Sequence, residues 1–358
     1  MMHQVAAQLG PQRVAVVTGV HANGSKENDG LHVYRLRGGL RPTSALGLGA
    51  LMARLGAIAV RERATLLQFA TLEDAHIAYW SQRTLRLRHI FFAYGNEVLS
   101  VQRSTWHKPR DALLAAKRVV AVSHFTAGLL KSLGVRDENI RVFYPGCDIN
   151  TFSPRTITDE TRARLTHGRK PRHTVLTVGN LVERKGHDTA IRAMALLPRA
   201  IDVLYLIVGD GPYRAKLEGL AASLGVADRV LFCGRVPASD LPLYYSMADL
   251  FLMVSRERRE QCDVEGFGIV FIEAAACGTP SIGGRSGGIE DAIVDDVTGV
   301  LVDPLDPAAV SAATLSLLRD DARRHRMGAA ARRRAAQEFT WDKLRTNMIE
   351  MLDEIERE

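Results

Sequence analysis

Three apolar runs, each closed by a glycine, do most to limit how this chain can fold: Val175 to Gly179, Val203 to Gly209 and Val230 to Gly234. Runs this short, apolar without alternation and rich in β-branched residues, read as strands buried on both faces, the pattern of a parallel sheet covered by helices. A helix from about Tyr213 to Leu224 separates the second run from the third. Downstream, Gly283 to Glu290 forms another loop, with glycines at 283, 284, 287 and 288 and little side chain over its backbone. Any such sheet uses glycine in its turns for packing. Taken together, these loops line the carboxyl edge of one sheet, where open α/β folds bind their ligands.

The first half alternates strands and helices in the same way. Strands are expected at Val14–Val17, His32–Leu36, Leu66–Ala70, His89–Ala93, Val119–Val122 and Ile140–Tyr144. Helices are expected at Ala75–Arg86, Ser104–Lys117 and His124–Leu133. This is an α/β chain with two doubly wound, Rossmann-like domains, a plan that suits 358 residues. A polar, proline-bearing stretch from Pro145 to about Arg172 carries the chain into the second domain. The expected domains are 1–150 and 151–337, followed by an amphipathic helix over 338–358.

Composition excludes several classes. At 46% apolar and 24% charged residues, the chain reads as globular. No stretch reaches the ~18–20 uninterrupted apolar residues that span a bilayer, and no signal-peptide pattern opens it. Cys147, Cys233, Cys262 and Cys277 form no CxxC pair and read as reduced thiols of a cytoplasmic protein. No metal-ligand spacing and no Asp-x-Asp motif is present, so no metal is expected. Residues 1–150 carry 19 Lys and Arg against 10 Asp and Glu, about +9 of a total of +7, which leaves the rest near −2. A basic face can attract nucleic acid, an anionic membrane or an acidic acceptor, and no aromatic-rich nucleic-acid module accompanies this one. Ala45 to Arg63 reads as a Gly/Ala-rich helix packed on the N-terminal sheet, and the same pattern suits a helix lying at an anionic membrane surface.

Glu265 and Glu273 stand eight residues apart, roughly 12 Å of helical rise. Alone, that spacing also fits a buried amphipathic helix with two solvated acids. Here Gly266 and Gly268 leave backbone N–H groups uncovered at the start of the apolar helix, where the dipole favours phosphate. In the loop after the first apolar run, Arg184 and Lys185 supply cations suited to a diphosphate. The span accommodates a sugar at one end, a ribose at the other and a diphosphate between them.

With these motifs in place, the chain resembles the retaining glycosyltransferases of the GT-B fold, specifically glycosyltransferase family 4. The motifs that carry the resemblance are Ala121–Thr126, Tyr144–Pro154, Gly179–Gly186, Gly209–Pro212, Glu265–Glu273 and Gly287–Glu290. The run from Cys262 to Val270 is similar to members that transfer mannose from GDP-mannose to phosphatidylinositol-type lipids; similar runs also occur in enzymes that use UDP-sugars, so the resemblance implies a hexose of mannose or glucose type.

The resemblance implies a metal-independent hexosyltransferase of glycan biosynthesis that needs no cofactor beyond its nucleotide-sugar donor. Its acceptor would be lipid-linked or a glycan, reached at the inner face of the plasma membrane. Lys185, Arg184 and the amides of Gly266, Phe267, Gly268 and Ile269 would hold the diphosphate, and Glu265 the hexose hydroxyls. Glu273 would take the ribose, and Arg235 and Val236 would lie near the base. Gly179, Asn180, Gly209 and Gly211 would form the turns around the donor. The acids and Lys185 would then converge on one activated sugar in a closing interdomain cleft, with 338–358 crossing back to the first domain.

Three departures from the family pattern stand out. Tyr94 takes the place where many relatives carry a histidine near the donor sugar, and Asn180 the place of a frequent arginine. The first strand and its glycine loop are expected to be missing from the N-terminal domain. These departures favour an alternative, a catalytically weak or inactive sugar-nucleotide-binding protein; a GT-B sugar-nucleotide epimerase is a further alternative.

Overall fold

A computed structural model describes Leu9 and residues 14–19, 32–36 and 44–358. The chain divides into two compact units, one of Met1–Gly146 with Trp341–Glu358, the other of Cys147–Thr340. The expected loss of a first strand and glycine loop concerns residues that lie mostly outside the described ones.

In the first unit, β1 (Ala15–Gly19) pairs in parallel with β2 (His32–Leu36). A second parallel sheet runs in sequence order through β3 (Leu66–Phe69), β4 (Arg88–Ala93), β5 (Arg118–Ala121) and β6 (Ile140–Val142). Its helices are α1 (Ala45–Arg61), α2 (Ala75–Leu85), α3 (Asn96–Arg103), α4 (His107–Leu114) and α5 (His124–Ser132). The single helix expected over Ser104–Lys117 is shorter: Ser104 is extended and accepts a bond from the Trp106 amide at 3.1 Å, which delays the helix to His107.

Helix α1 packs as a core helix, with Leu51, Met52 and Leu55 buried beside Leu36 and Ile77. Its outer face leaves Leu46 and Val60 89% and 80% exposed.

The second unit carries α6 (Asp159–Leu165), β7 (His173–Val178), α7 (His187–Leu196), β8 (Val203–Val208), α8 (Arg214–Ser223) and β9 (Val230–Gly234). After these come α9 (Leu241–Met247), β10 (Leu250–Met253), α10 (Ile269–Ala276), β11 (Ser281–Gly284), α11 (Ile289–Ala292), β12 (Gly299–Val302), α12 (Pro307–Arg319) and α13 (Asp321–Glu338). Its six-stranded sheet is parallel throughout, in the order β12-β11-β10-β7-β8-β9. β7 and β8 are buried along their whole length, as unalternating apolar strands require. Ile191, Met194, Leu217, Val310 and Leu317 from α7, α8 and α12 join them in one core.

That strand order reverses direction between β7 and β10. The crevice at the carboxyl edge of such a switch point is the place where doubly wound sheets bind ligands.

The last helix, α14 (Trp341–Arg357), belongs to the first unit. Leu344, Met348, Met351 and Ile355 pack on Ile90, Phe92, Val120 and Phe143. Arg118 pairs with Glu358, Arg141 Nη2 lies 2.9 Å from Glu354, and Arg88 donates to the Ile355 carbonyl at 2.7 Å.

Candidate active site

The loops after β7 and β10 meet through charge. Lys185 Nζ and Arg184 Nη1 each donate to Glu265 Oε2 at 2.6 Å, and Arg184 Nε donates to Asp263 Oδ1 at 2.7 Å. The Ser255 hydroxyl approaches the same Glu265 oxygen at 3.4 Å. The Lys185 and Glu265 side chains are only 13% and 12% exposed, so water screens this pairing weakly. Burial pushes the Glu265 carboxyl upward, but Lys185 and Arg184 outweigh it and the group is held below the ordinary glutamate range. Glu265 is a carboxylate at neutral pH.

Backbone shape brings the loops together. Gly186 has φ +70°, and a Cβ there would lie 2.0 Å from the Val254 carbonyl oxygen, so only glycine lets the Lys185 loop cross the end of β10. Behind it, His187 is buried and its Nε2 contacts the Asn180 carbonyl oxygen at 3.2 Å, across the base of the 180–187 loop. Gly209 has φ +134°, and its Cβ would meet the Gly179 carbonyl oxygen at 1.9 Å. At Gly211 a Cβ would fall 2.6 Å from Leu181 oxygen. The chain's own packing thus requires glycine at 209 and 211. Gly179 is more open, with Lys185 Cε at 3.8 Å from where a Cβ would stand.

Around this centre lies an ion-pair network that the sequence did not announce. Arg256 lies 3.1 Å from Asp188, Arg258 lies 3.1 Å from Glu183, and the Tyr213 hydroxyl donates to Glu183 at 2.8 Å. Glu257 accepts from the Gly287 amide at 3.1 Å. The signal present in the sequence was the charge-dense run Arg256 to Glu260 directly after a buried strand. Its partners, 30 to 75 residues away, were not legible from it.

The other expected site residues are placed as follows. Phe267 is buried against Phe339, rings 5.6 Å apart, so only its backbone can meet a ligand. Gly268 caps α10, and Ile269 is exposed at its first position. The leading N–H groups of an α-helix lack intrahelical acceptors, and here they belong to the turn that follows Glu265.

Glu273 stands apart from the cation cluster. It accepts from the Tyr245 hydroxyl at 2.7 Å, and burial raises its carboxyl to about 7 against that bond. Asn180 and Arg235 are exposed, and Val236 is partly so. Tyr94 belongs to the first unit, beyond β4, where it packs at the edge of the core and its amide donates to Glu97 at 2.7 Å. Burial, with Glu97 adding, raises its phenol, which stays protonated. Among the described residues, no group of three or more His, Cys, Asp or Glu is placed to hold a metal ion.

A GDP-mannose-dependent alpha-(1-6)-phosphatidylinositol monomannoside mannosyltransferase of Mycobacterium tuberculosis is 37% identical over 265 residues, 72% of this chain and 68% of that protein. Residues 159–334 match the model for glycosyl transferases group 1, and residues 1–151 the model for Glycosyltransferase Family 4. The chain belongs to glycosyltransferase family 4. The enzyme of the same description from Mycolicibacterium smegmatis is 38% identical over 237 residues, 65% of this chain; the match spans 61% of that relative's length. In structure, this family 4 chain resembles Anabaena HepE, solved with UDP, with a TM-score of 0.83 at 22% identity over 99% of this chain and 95% of that one. The fold is GT-B, with two Rossmann-like units.

Proposed function

We propose that this chain is a retaining, metal-independent hexosyltransferase that moves mannose from GDP-mannose to a lipid-linked or glycan acceptor. The observation that carries the reading is the meeting of Arg184, Lys185 and Glu265 in the crevice between β7 and β10. Breaking the bond between sugar and diphosphate builds negative charge on the leaving group and positive character on the ring. Arg184, Lys185 and the first amides of α10 would stabilise the leaving diphosphate, the part a preorganised site does best. Glu265 would accept hydroxyl hydrogens of the hexose, and Glu273 those of the ribose. Arg235 and Val236, beyond β9, would lie near the base. With two fixed cations serving the diphosphate, catalysis needs no metal.

The donor assignment draws on the named mycobacterial relatives, which are GDP-mannose-dependent and act on a phosphatidylinositol mannoside. Contact with the inner face of an anionic membrane belongs to the same proposal. Its support is the exposed Leu46 and Val60 on the basic-flanked α1; among the described residues no helix is long and apolar enough to cross a membrane.

A second reading, a chain that binds sugar nucleotides without turnover, is favoured by Asn180, which brings no charge where relatives often have arginine. One assay separates the readings. The protein is incubated with GDP-mannose or UDP-glucose, with and without acceptor membranes, and with and without EDTA. The proposal expects GDP release that depends on acceptor, is insensitive to EDTA and gives an α-linked product. Binding without release would establish the second reading. A changed sugar without nucleotide release would establish an epimerase. Sedimentation with liposomes that ignores anionic lipid would remove the membrane contact.

A further inference from the structure

Arg184 and Lys185 serve two purposes in the reading above, because both direct their charge at one oxygen of Glu265, 2.6 Å from each. Asp263 takes the Arg184 Nε as well. Two cations thus face two carboxylates, and the four charges balance. A diphosphate adds two or more negative charges at the same cations. The mostly buried Lys185 and Glu265 side chains have little freedom to swing apart.

We propose that Glu265 competes with the nucleoside diphosphate for Arg184 and Lys185, so that the site holds this product weakly and releases it after transfer. The inference rests on the donor-binding reading of the crevice. A carboxylate that already takes both cations at 2.6 Å repels a phosphate that comes to share them, and so weakens its binding. Such a charge lowers affinity for donor and product alike, but the donor's sugar gains hydrogen bonds from the same carboxylate. The product has no sugar and bears only the repulsion. Glu265 therefore discriminates against the spent nucleotide, a useful property where product release limits turnover.

The test is calorimetric titration of the full chain with GDP, and with UDP in parallel, at low and high salt. Glu265→Gln is expected to bind the nucleoside diphosphate about tenfold tighter than wild type, with a steeper salt dependence. Unchanged or weaker binding by this variant overturns the inference alone. Should Glu265→Gln fail to fold by thermal melting, Asp263→Asn carries the test, with a two- to fivefold tightening expected and no tightening overturning it. If neither the wild-type chain nor Glu265→Gln binds GDP or UDP, the donor-binding reading falls and takes the inference with it.

Discussion

The Tyr245 hydroxyl, on α9, donates a hydrogen bond to Glu273 Oε2 on α10 at 2.7 Å, and that carboxyl titrates near neutrality. Burial raises it from 4.5 to about 7. A folded carboxyl that holds its proton more tightly than the unfolded one contributes stability below the unfolded value and loses it as pH rises through the folded one. Between pH 4.5 and 7 the protein should therefore lose up to ~3 kcal/mol from this group. Glu273→Gln should remove that slope and be the more stable form at pH 8 in denaturant titrations. If the ionised carboxylate grips ribose, GDP affinity in the wild type should rise over the same interval, and the variant should show no such rise.

Lys185→Ala should lower transfer by about 10² to 10³, the usual cost of removing one group that stabilises developing charge. Its effect should fall on kcat more than on KM. Stability should change less than for a lysine whose loss strands a buried carboxylate, because Arg184 still meets Glu265 at 2.6 Å. Steady-state kinetics with the active donor, beside a melting curve, would check both statements. A variant with unaltered kcat would remove Lys185 from the chemistry.

Much of the fold was legible because strands buried on both faces leave a plain signature, as β7 and β8 do. The helix break at Ser104 was not legible, since it depends on one side-chain bond to the Trp106 amide. The site was half legible. Lys185 and Glu265 could be named from motif and charge, but their contact joins residues 80 apart and follows from the strand order, which no local pattern encodes. For the same reason the sequence could not show that Asp263 shares Arg184. Gly209 and Gly211 read as a turn after a buried strand; the atoms that require glycine there are those of Gly179 and Leu181, brought close only by the folded loops.

Arg118 should anchor the C-terminal helix. Its side chain is 8% exposed and pairs with Glu358, with Glu354 at 3.9 Å. Removing the acids by the double change Glu354→Gln and Glu358→Gln leaves the buried guanidinium with fewer partners and should lower stability. Arg118→Met, which removes the charge and keeps the bulk, should cost less. Chemical denaturation of the three proteins ranks them, and no loss in either variant would show that the helix is held by its apolar face alone.

His187 should make the protein acid-sensitive. Its ring is 2% exposed, Nε2 meets the Asn180 carbonyl oxygen, and Nδ1 is buried without a partner. Burial lowers the imidazole to about 4, with Lys185 adding to the effect, while the bond to Asn180 and the charge of Asp188 oppose it. An unfolded histidine takes up its proton near 6.5, so the folded state binds fewer protons throughout the interval between. This contribution is fully present above pH 6.5 and is lost as pH falls to 4, by up to ~3 kcal/mol. His187→Gln keeps a donor for the Asn180 carbonyl and cannot titrate. It should flatten the loss of stability between pH 6.5 and 4 and leave the value at pH 7.5 within about 1–2 kcal/mol of wild type. The same slope in both proteins would assign the acid sensitivity to other groups and leave His187 a packing residue beneath the Lys185 loop.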